Sequence, residues 1–91
     1  PVFKNMAFSV EDTSASVENI LLAITALGYA TVWLDGVLRA DDVAERIGKL
    51  LGVPSNQSVR VLLPIGVPAV PGEQLEKLPF EKRAWFNRYG D

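Results

Sequence analysis

An apolar segment at 58–66 places the strongest constraint on what this chain can fold into. The segment contains Val59, Val61, Leu62, Leu63 and Ile65. A strand with this composition is apolar on both faces, which is typical of a sheet that is covered by helices on both sides. The 91-residue chain offers one further strand candidate, at 29–34, and a two-stranded sheet is only marginally stable. The pattern therefore predicts an α/β unit that is incomplete by itself and acquires its missing layers from another chain or from a missing half of its own.

The remaining periodicity predicts the order helix, strand, helix, strand, followed by an extended C-terminal arm. Apolar residues recur at helical spacing between Ser9 and Gly28, with Ser9 as the expected N-terminal cap. A second amphipathic helix is expected over 40–51 and should end at Gly52. Residues 67–79 contain three prolines and are expected to form an extended connector.

Composition excludes several kinds of chemistry. The chain has no cysteine and no histidine, so disulfides, thiolate nucleophiles and the usual zinc ligands are excluded, as is a histidine general base. The acidic pairs at 11–12 and 41–42 are best explained as charges at helix N-termini. We therefore expect no metal site and no catalytic side chain.

The charge and hydropathy patterns indicate which kinds of partner the chain binds. A net charge of −2 does not favour a general nucleic-acid binder, and no apolar run reaches the length of a membrane span. Four of the eight aromatic residues lie within 80–91, which predicts an arm that packs on a partner subunit. The alternative, a small nucleic-acid patch formed by the basic residues of this arm, is less favoured. We expect neither a nucleic-acid nor a membrane partner.

Five motifs follow one another along the chain. They are VEDTSASVENILLA at 10–23 with ALG at 26–28, TVWLDG at 31–36, LLGVP at 50–54, VLLPIGVP at 61–68 and KLPFE at 77–81. In this order they resemble the nitroreductase family. The resemblance covers about the C-terminal half of a family member and implies an α+β nitroreductase-like fold. Together with a first residue that is Pro1 and not Met, it predicts a piece of a longer protein.

The resemblance also implies an activity and a cofactor. A family member of this kind is an FMN-dependent oxidoreductase of the cytoplasm, which passes electrons from NAD(P)H to a small-molecule acceptor such as a nitroaromatic or a quinone. Residues 1–79 would be the C-terminal part of the FMN-binding domain, and 80–91 an arm exchanged within a homodimer. The alternative is a truncated or degenerate nitroreductase-like chain that acts only as a dimerisation or interaction module.

The resemblance further implies which residues bind the cofactor. The turn after the first strand candidate would lie along the flavin ring. This makes Trp33, Leu34, Asp35 and Gly36 cofactor-binding, and the alternative is that Asp35 and Gly36 form a plain turn. Lys77 would face the FMN phosphate, although Leu75 stands where the family usually has a second cation.

Overall fold

The computed structural model describes residues 7–90 and contains two α-helices. These are α1 (Ser9–Ala26) and α2 (Val43–Leu51). Two short 3₁₀ helices, Gly36–Arg39 and Phe80–Lys82, and several extended segments complete the described part. Residues 1–6 and Asp91, at the outer ends of the two predicted domains, lie outside the described residues.

Helix α1 follows the predicted span but begins differently. Ser9 is the first helical residue and does not act as the cap, since the N–H of Asp12 already donates to the carbonyl of Phe8 at 2.9 Å. The C-terminal end is as predicted, because Gly28 adopts a left-handed φ of 83°. The N–H of Gly28 donates to Thr25 at 3.1 Å and that of Tyr29 to Ile24 at 3.0 Å, the bond pair of a Schellman motif. This motif ends the helix and turns the chain into the segment that leads to the candidate site.

Helix α2 is shorter than the predicted helix over 40–51. Asp41 has a φ of 42°, a left-handed conformation that aspartate tolerates better than most residues. The N–H of Val43 donates to the carbonyl of Ala40 at 3.1 Å, so residues 40–42 form a turn before the helix. Helix α2 packs against the 3₁₀ helix Gly36–Arg39, and Leu38 is buried there.

The two predicted strands are not confirmed, because the described part of the chain contains no continuous strand. The segments at 29–34 and 58–66 run antiparallel and meet at two isolated bridges, Ala30 with Gly66 and Leu34 with Leu62. Each bridge exchanges two backbone hydrogen bonds of 2.8–3.1 Å.

A proline at the midpoint explains this interruption. The register of the two bridges places Val32 opposite Pro64. Pro64 has no N–H to donate, so the ladder cannot continue through this position. The hydroxyl of Thr31 donates instead to the carbonyl oxygen of Pro64, at 2.7 Å. The apolar composition of 58–66 thus indicated a strand, whereas its proline limits the segment to separate bridges.

The core of the isolated chain is small. The buried apolar side chains among residues 7–90 are Val17, Ile24 and Leu38. The radius of gyration is 17.9 Å, against about 12 Å for a compact domain of this length. The accessible surface is 8372 Å², against about 5,200 Å² for a compact protein of this mass. The excess, about 3,000 Å², is of the size buried in obligate protein interfaces.

The segment at 58–66 illustrates where this excess lies. Val61, Leu62 and Leu63 are only half-buried, and Ile65 is 58% exposed. The segment at 58–66 was expected to be buried on both faces once its covering layers are present. Residues 7–90 alone do not provide this burial. The uncovered apolar surface is what a unit without its covering layers presents to solvent.

Candidate functional site

The residues from Trp33 to Gly36 form one turn that is held at both ends. At the first end, the N–H of Leu34 donates to Leu62 at 3.1 Å, and its carbonyl accepts from Leu62 at 2.9 Å. At the second end, the carbonyl of Asp35 accepts from Leu38 at 3.0 Å, which starts the 3₁₀ helix. The turn is therefore fixed between the second bridge and the 3₁₀ helix, and four of the five predicted cofactor-binding residues are consecutive in it.

The carboxylate of Asp35 joins two neighbouring side chains. The indole Nε1 of Trp33 donates to Asp35 Oδ2 at 3.1 Å, and the guanidinium of Arg39 lies 3.6 Å from the same oxygen. The Arg39 side chain is 73% exposed, so this ion pair contributes less than about 1 kcal/mol to stability. The carboxylate serves mainly to orient the half-buried indole on one side of the turn. This ion pair was not predicted from the sequence, although the i,i+4 spacing of Asp35 and Arg39 is a signal that could have indicated it.

The backbone of the turn offers hydrogen-bond donors. Within residues 7–90, the N–H groups of Asp35, Gly36 and Val37 have no acceptor. Val37 was not among the predicted residues, although the first N–H groups of any helix lack intrahelical partners. Three neighbouring donors of this kind can bind the polar edge of a planar ligand that lies against the backbone.

Gly36 leaves the space beside these donors open. A Cβ placed on this glycine would meet no atom of residues 7–90 within 4 Å, and the φ of Gly36 lies outside the left-handed region. Neither the backbone conformation nor the packing in the described part of the chain requires a glycine here. The absence of a side chain does allow a ligand or another chain to approach the main chain closely.

Lys77 is not brought to this turn by any described interaction. It lies in the exposed, extended segment at 67–79. In the part of the chain that the structure covers, no ion pair or hydrogen bond joins Lys77 to the turn. A basic residue that sequence reasoning missed, Arg60, does lie beside the turn, because it lines two cavities together with Asp35.

Comparison with known proteins shows the family to which the chain belongs. The sequence profile of the nitroreductase family matches residues 4–67, which is more than half of the chain. The chain therefore belongs to the nitroreductase family, as the five motifs predicted. The match includes the turn at 33–36 and ends before Lys77 and the segment at 80–91.

Two curated relatives are similar over most of this chain. A protein of Archaeoglobus fulgidus named "Putative NADH dehydrogenase/NAD(P)H nitroreductase" is 42% identical over 59 residues, which is 65% of this chain and 33% of the relative. A protein of the same name from Methanothermobacter thermautotrophicus is 39% identical over 62 residues, or 68% of this chain and 32% of the relative. The chain thus spans about a third of the length of these relatives. No solved structure matches it significantly.

One further observation concerns membranes. Among the described residues, neither helix combines the length and the apolar character that crossing a bilayer requires.

Proposed function

We propose that this chain contributes the flavin side of an FMN-dependent oxidoreductase of the cytoplasm, which passes electrons from NAD(P)H to a nitroaromatic, a quinone or a similar acceptor. Membership of the nitroreductase family supports this proposal, as do the names of the two relatives. The observation that carries it is the row of N–H groups from Asp35 to Val37, which have no acceptor among residues 7–90, beside the open space at Gly36.

The turn fits the ring of FMN better than its phosphate. The unpaired N–H groups can donate to nitrogen and oxygen atoms at the edge of the isoalloxazine, and Gly36 permits the close approach that this requires. For the phosphate, the predicted site offers Lys77 alone, since Leu75 occupies the position of the second cation. A single lysine is a point charge and binds a doubly charged phosphate weakly.

In the proposed reaction, bound FMN supplies the chemistry of hydride acceptance and electron transfer. The chain's own contribution is to bind and to orient. The N–H groups of Asp35, Gly36 and Val37 would donate hydrogen bonds to the ring edge of a bound flavin and would favour negative charge there. The carboxylate of Asp35 holds the indole of Trp33 in place beside the turn. No side chain of this turn needs to transfer a proton.

The proposed enzyme is a homodimer in which the segment at 80–91 is an arm that packs on the other subunit. The excess accessible surface of the isolated chain supports a partner surface of this size. In the arm, the rings of Trp85 and Tyr89 lie 4.4 Å apart, while Phe86 remains 76% exposed. An exposed aromatic side chain of this size is a suitable anchor for a partner subunit.

A second candidate function follows from the same exposed surface. A chain that only dimerises or binds a protein partner would show the same uncovered apolar residues at 58–66, without any need for unpaired N–H groups at 35–37. Cofactor binding separates the two functions.

The deciding experiment is a titration of FMN with the purified chain, followed by quenching of flavin fluorescence. We expect saturable binding with a Kd of about 1 μM or weaker, about −8 kcal/mol, because the ring is held from one side. Absence of quenching at about 100 μM protein would contradict the flavin proposal and favour the interaction module. Stoichiometric binding at nanomolar concentrations would contradict the one-sided site.

A further inference from the structure

We propose that the groove around Arg60 is a subsite for the phosphate ester of a nucleotide, adjacent to the turn at 33–36. The inference rests on the proposed function only for the kind of nucleotide, which is FMN or NAD(P)H. The groove itself follows from the residues that line two adjoining cavities and from the charges around them.

The cavities around the turn place Arg60 beside it. Arg60 precedes by two residues Leu62, which pairs with Leu34 of the turn. Arg60 lines a cavity of about 280 Å³ together with Asp35 and Arg39. It also lines an adjoining cavity of about 400 Å³, which extends from α1 to the loop before the second extended segment. Cavities of this size accept part of a nucleotide.

The balance of charge in the groove favours an anion. Among residues 7–90, Arg60 has no carboxylate within ion-pair distance, and the only acidic residue that lines these cavities beside it is Asp35. Asp35 already accepts from Trp33 and pairs with Arg39. Two guanidinium groups therefore face one carboxylate, although the chain as a whole has a net charge of −2.

The other polar groups of the groove are hydrogen-bond donors. The cavity of about 400 Å³ is lined by Ser9, Thr13, Asn56, Gln57 and Ser58 in addition to Arg60. Hydroxyl and amide groups donate to phosphate oxygens, and the planar guanidinium of arginine binds two of these oxygens at once. The oxygens of a neutral nitroaromatic or quinone can accept hydrogen bonds from the same groups, but only the negatively charged phosphate ester is also attracted by the positive charge of the guanidinium groups.

The experiment compares three probes and two variants of the same 91-residue chain. The probes are ADP-ribose, which carries the phosphates of the dinucleotide, FMN, and riboflavin, which has the flavin ring without the phosphate. The variants are Arg60→Gln and, as the matched control, Arg46→Gln. Arg46 is 71% exposed, forms an i,i+4 pair with Asp42 at 4.0 Å and does not line the groove. Circular dichroism checks that both variants keep the helical content of the parent.

We expect Arg60→Gln to weaken the binding of ADP-ribose or of FMN about tenfold at low salt, and to leave riboflavin unchanged. Arg46→Gln should bind all three probes like the parent. If Arg60→Gln weakens the binding of ADP-ribose, the phosphate belongs to the dinucleotide. If the variant weakens the binding of FMN but not of riboflavin, the phosphate belongs to the flavin nucleotide. Either effect supports the subsite.

Three outcomes overturn the inference. In the first, Arg60→Gln and the parent bind every probe with equal affinity. In the second, Arg60→Gln loses as much affinity for riboflavin as for FMN, and in the third, the parent chain binds neither ADP-ribose nor FMN. Failure of the proposed function is distinguishable, because a chain that binds neither flavin would still show Arg60-dependent binding of ADP-ribose if the subsite exists.

Discussion

The hydroxyl of Thr31 donates a hydrogen bond of 2.7 Å to the carbonyl oxygen of Pro64, at the point where the antiparallel pairing of the two extended segments is interrupted. This side-chain bond joins the segments midway between the bridges at Ala30 and Leu34. It therefore contributes to the position of the turn at 33–36, which contains the second bridge residue, Leu34.

Replacing Thr31 with valine should lower the free energy of unfolding by about 1 kcal/mol, since it removes one intersegment hydrogen bond at constant side-chain volume. Thr25→Val in α1 is the matched control, because the Thr25 hydroxyl makes no hydrogen bond within the described part of the chain. Urea unfolding of both variants provides the measurement. Equal stabilities of the two variants would show that the Thr31 bond contributes nothing.

Replacing Pro64 with valine should join the two bridges into a continuous ladder. The new N–H at position 64 lies opposite Val32 and can donate to its carbonyl. We expect the backbone amide at position 64 to exchange its hydrogen slowly, as paired strand amides do. The backbone amide of Val32 should also exchange more slowly than it does in the parent chain. Exchange of amide 64 at the rate of an unstructured peptide would contradict the register.

Gly48 within α2 and Gly52 directly after it should respond in opposite directions to replacement by alanine. Gly52 has a left-handed φ of 71°, so Gly52→Ala should cost about 1–2 kcal/mol. Gly48 is helical, and a Cβ there would lie at an ordinary contact distance of 3.6 Å from the Cβ of Val53. Gly48→Ala should therefore stabilise the chain by up to about 1 kcal/mol. Thermal unfolding distinguishes the signs, and a shift in the same direction for both would refute the conformational explanation.

Gly36→Ala tests the flavin-side turn without disturbing the fold. The added methyl group meets no atom of the described residues within 4 Å, so the free energy of unfolding should stay the same or rise slightly. If the flavin ring lies against this backbone, the same methyl should weaken FMN binding about tenfold or more. Gly72→Ala is the control, because Gly72 is equally open and lies in the connector. Unchanged FMN quenching by Gly36→Ala would place the ring elsewhere.

The aromatic arm should contribute to self-association. Replacing Trp85 and Phe86 with alanine should weaken association by more than about 2 kcal/mol, the usual effect of removing buried aromatic anchors. Leu75→Ala, at an exposed apolar position outside the arm, is the control. Analytical ultracentrifugation measures both variants, and a parent chain that sediments as a monomer at micromolar concentration would remove the basis for the dimer.

Much of the local structure could be predicted from the sequence because it depends on neighbouring residues. The apolar spacing of α1 and the left-handed glycines at positions 28 and 52 are local properties, and both helices end where they were predicted to end. The turn from Trp33 to Gly36 is also local, since its members are consecutive. The N-terminal ends were predicted less well, because Asp41 takes a left-handed conformation and Ser9 enters the helix.

The sequence by itself determined the helices, the glycine-terminated helix ends and the family, because each of these depends on residues close together in the chain. Only the tertiary structure decided which residues meet across the two extended segments. The bridge register, which involves residues more than 25 positions apart, sets Pro64 opposite Val32. One proline in the apolar run therefore leaves bridges in place of a ladder, since it lacks the N–H that this register requires. The tertiary structure also brings Arg60 to the same cavity as Asp35. In the described part of the chain, no ion pair or hydrogen bond joins Lys77 to the turn at 33–36. The order of the motifs along the sequence therefore does not determine the distances between the segments that carry them.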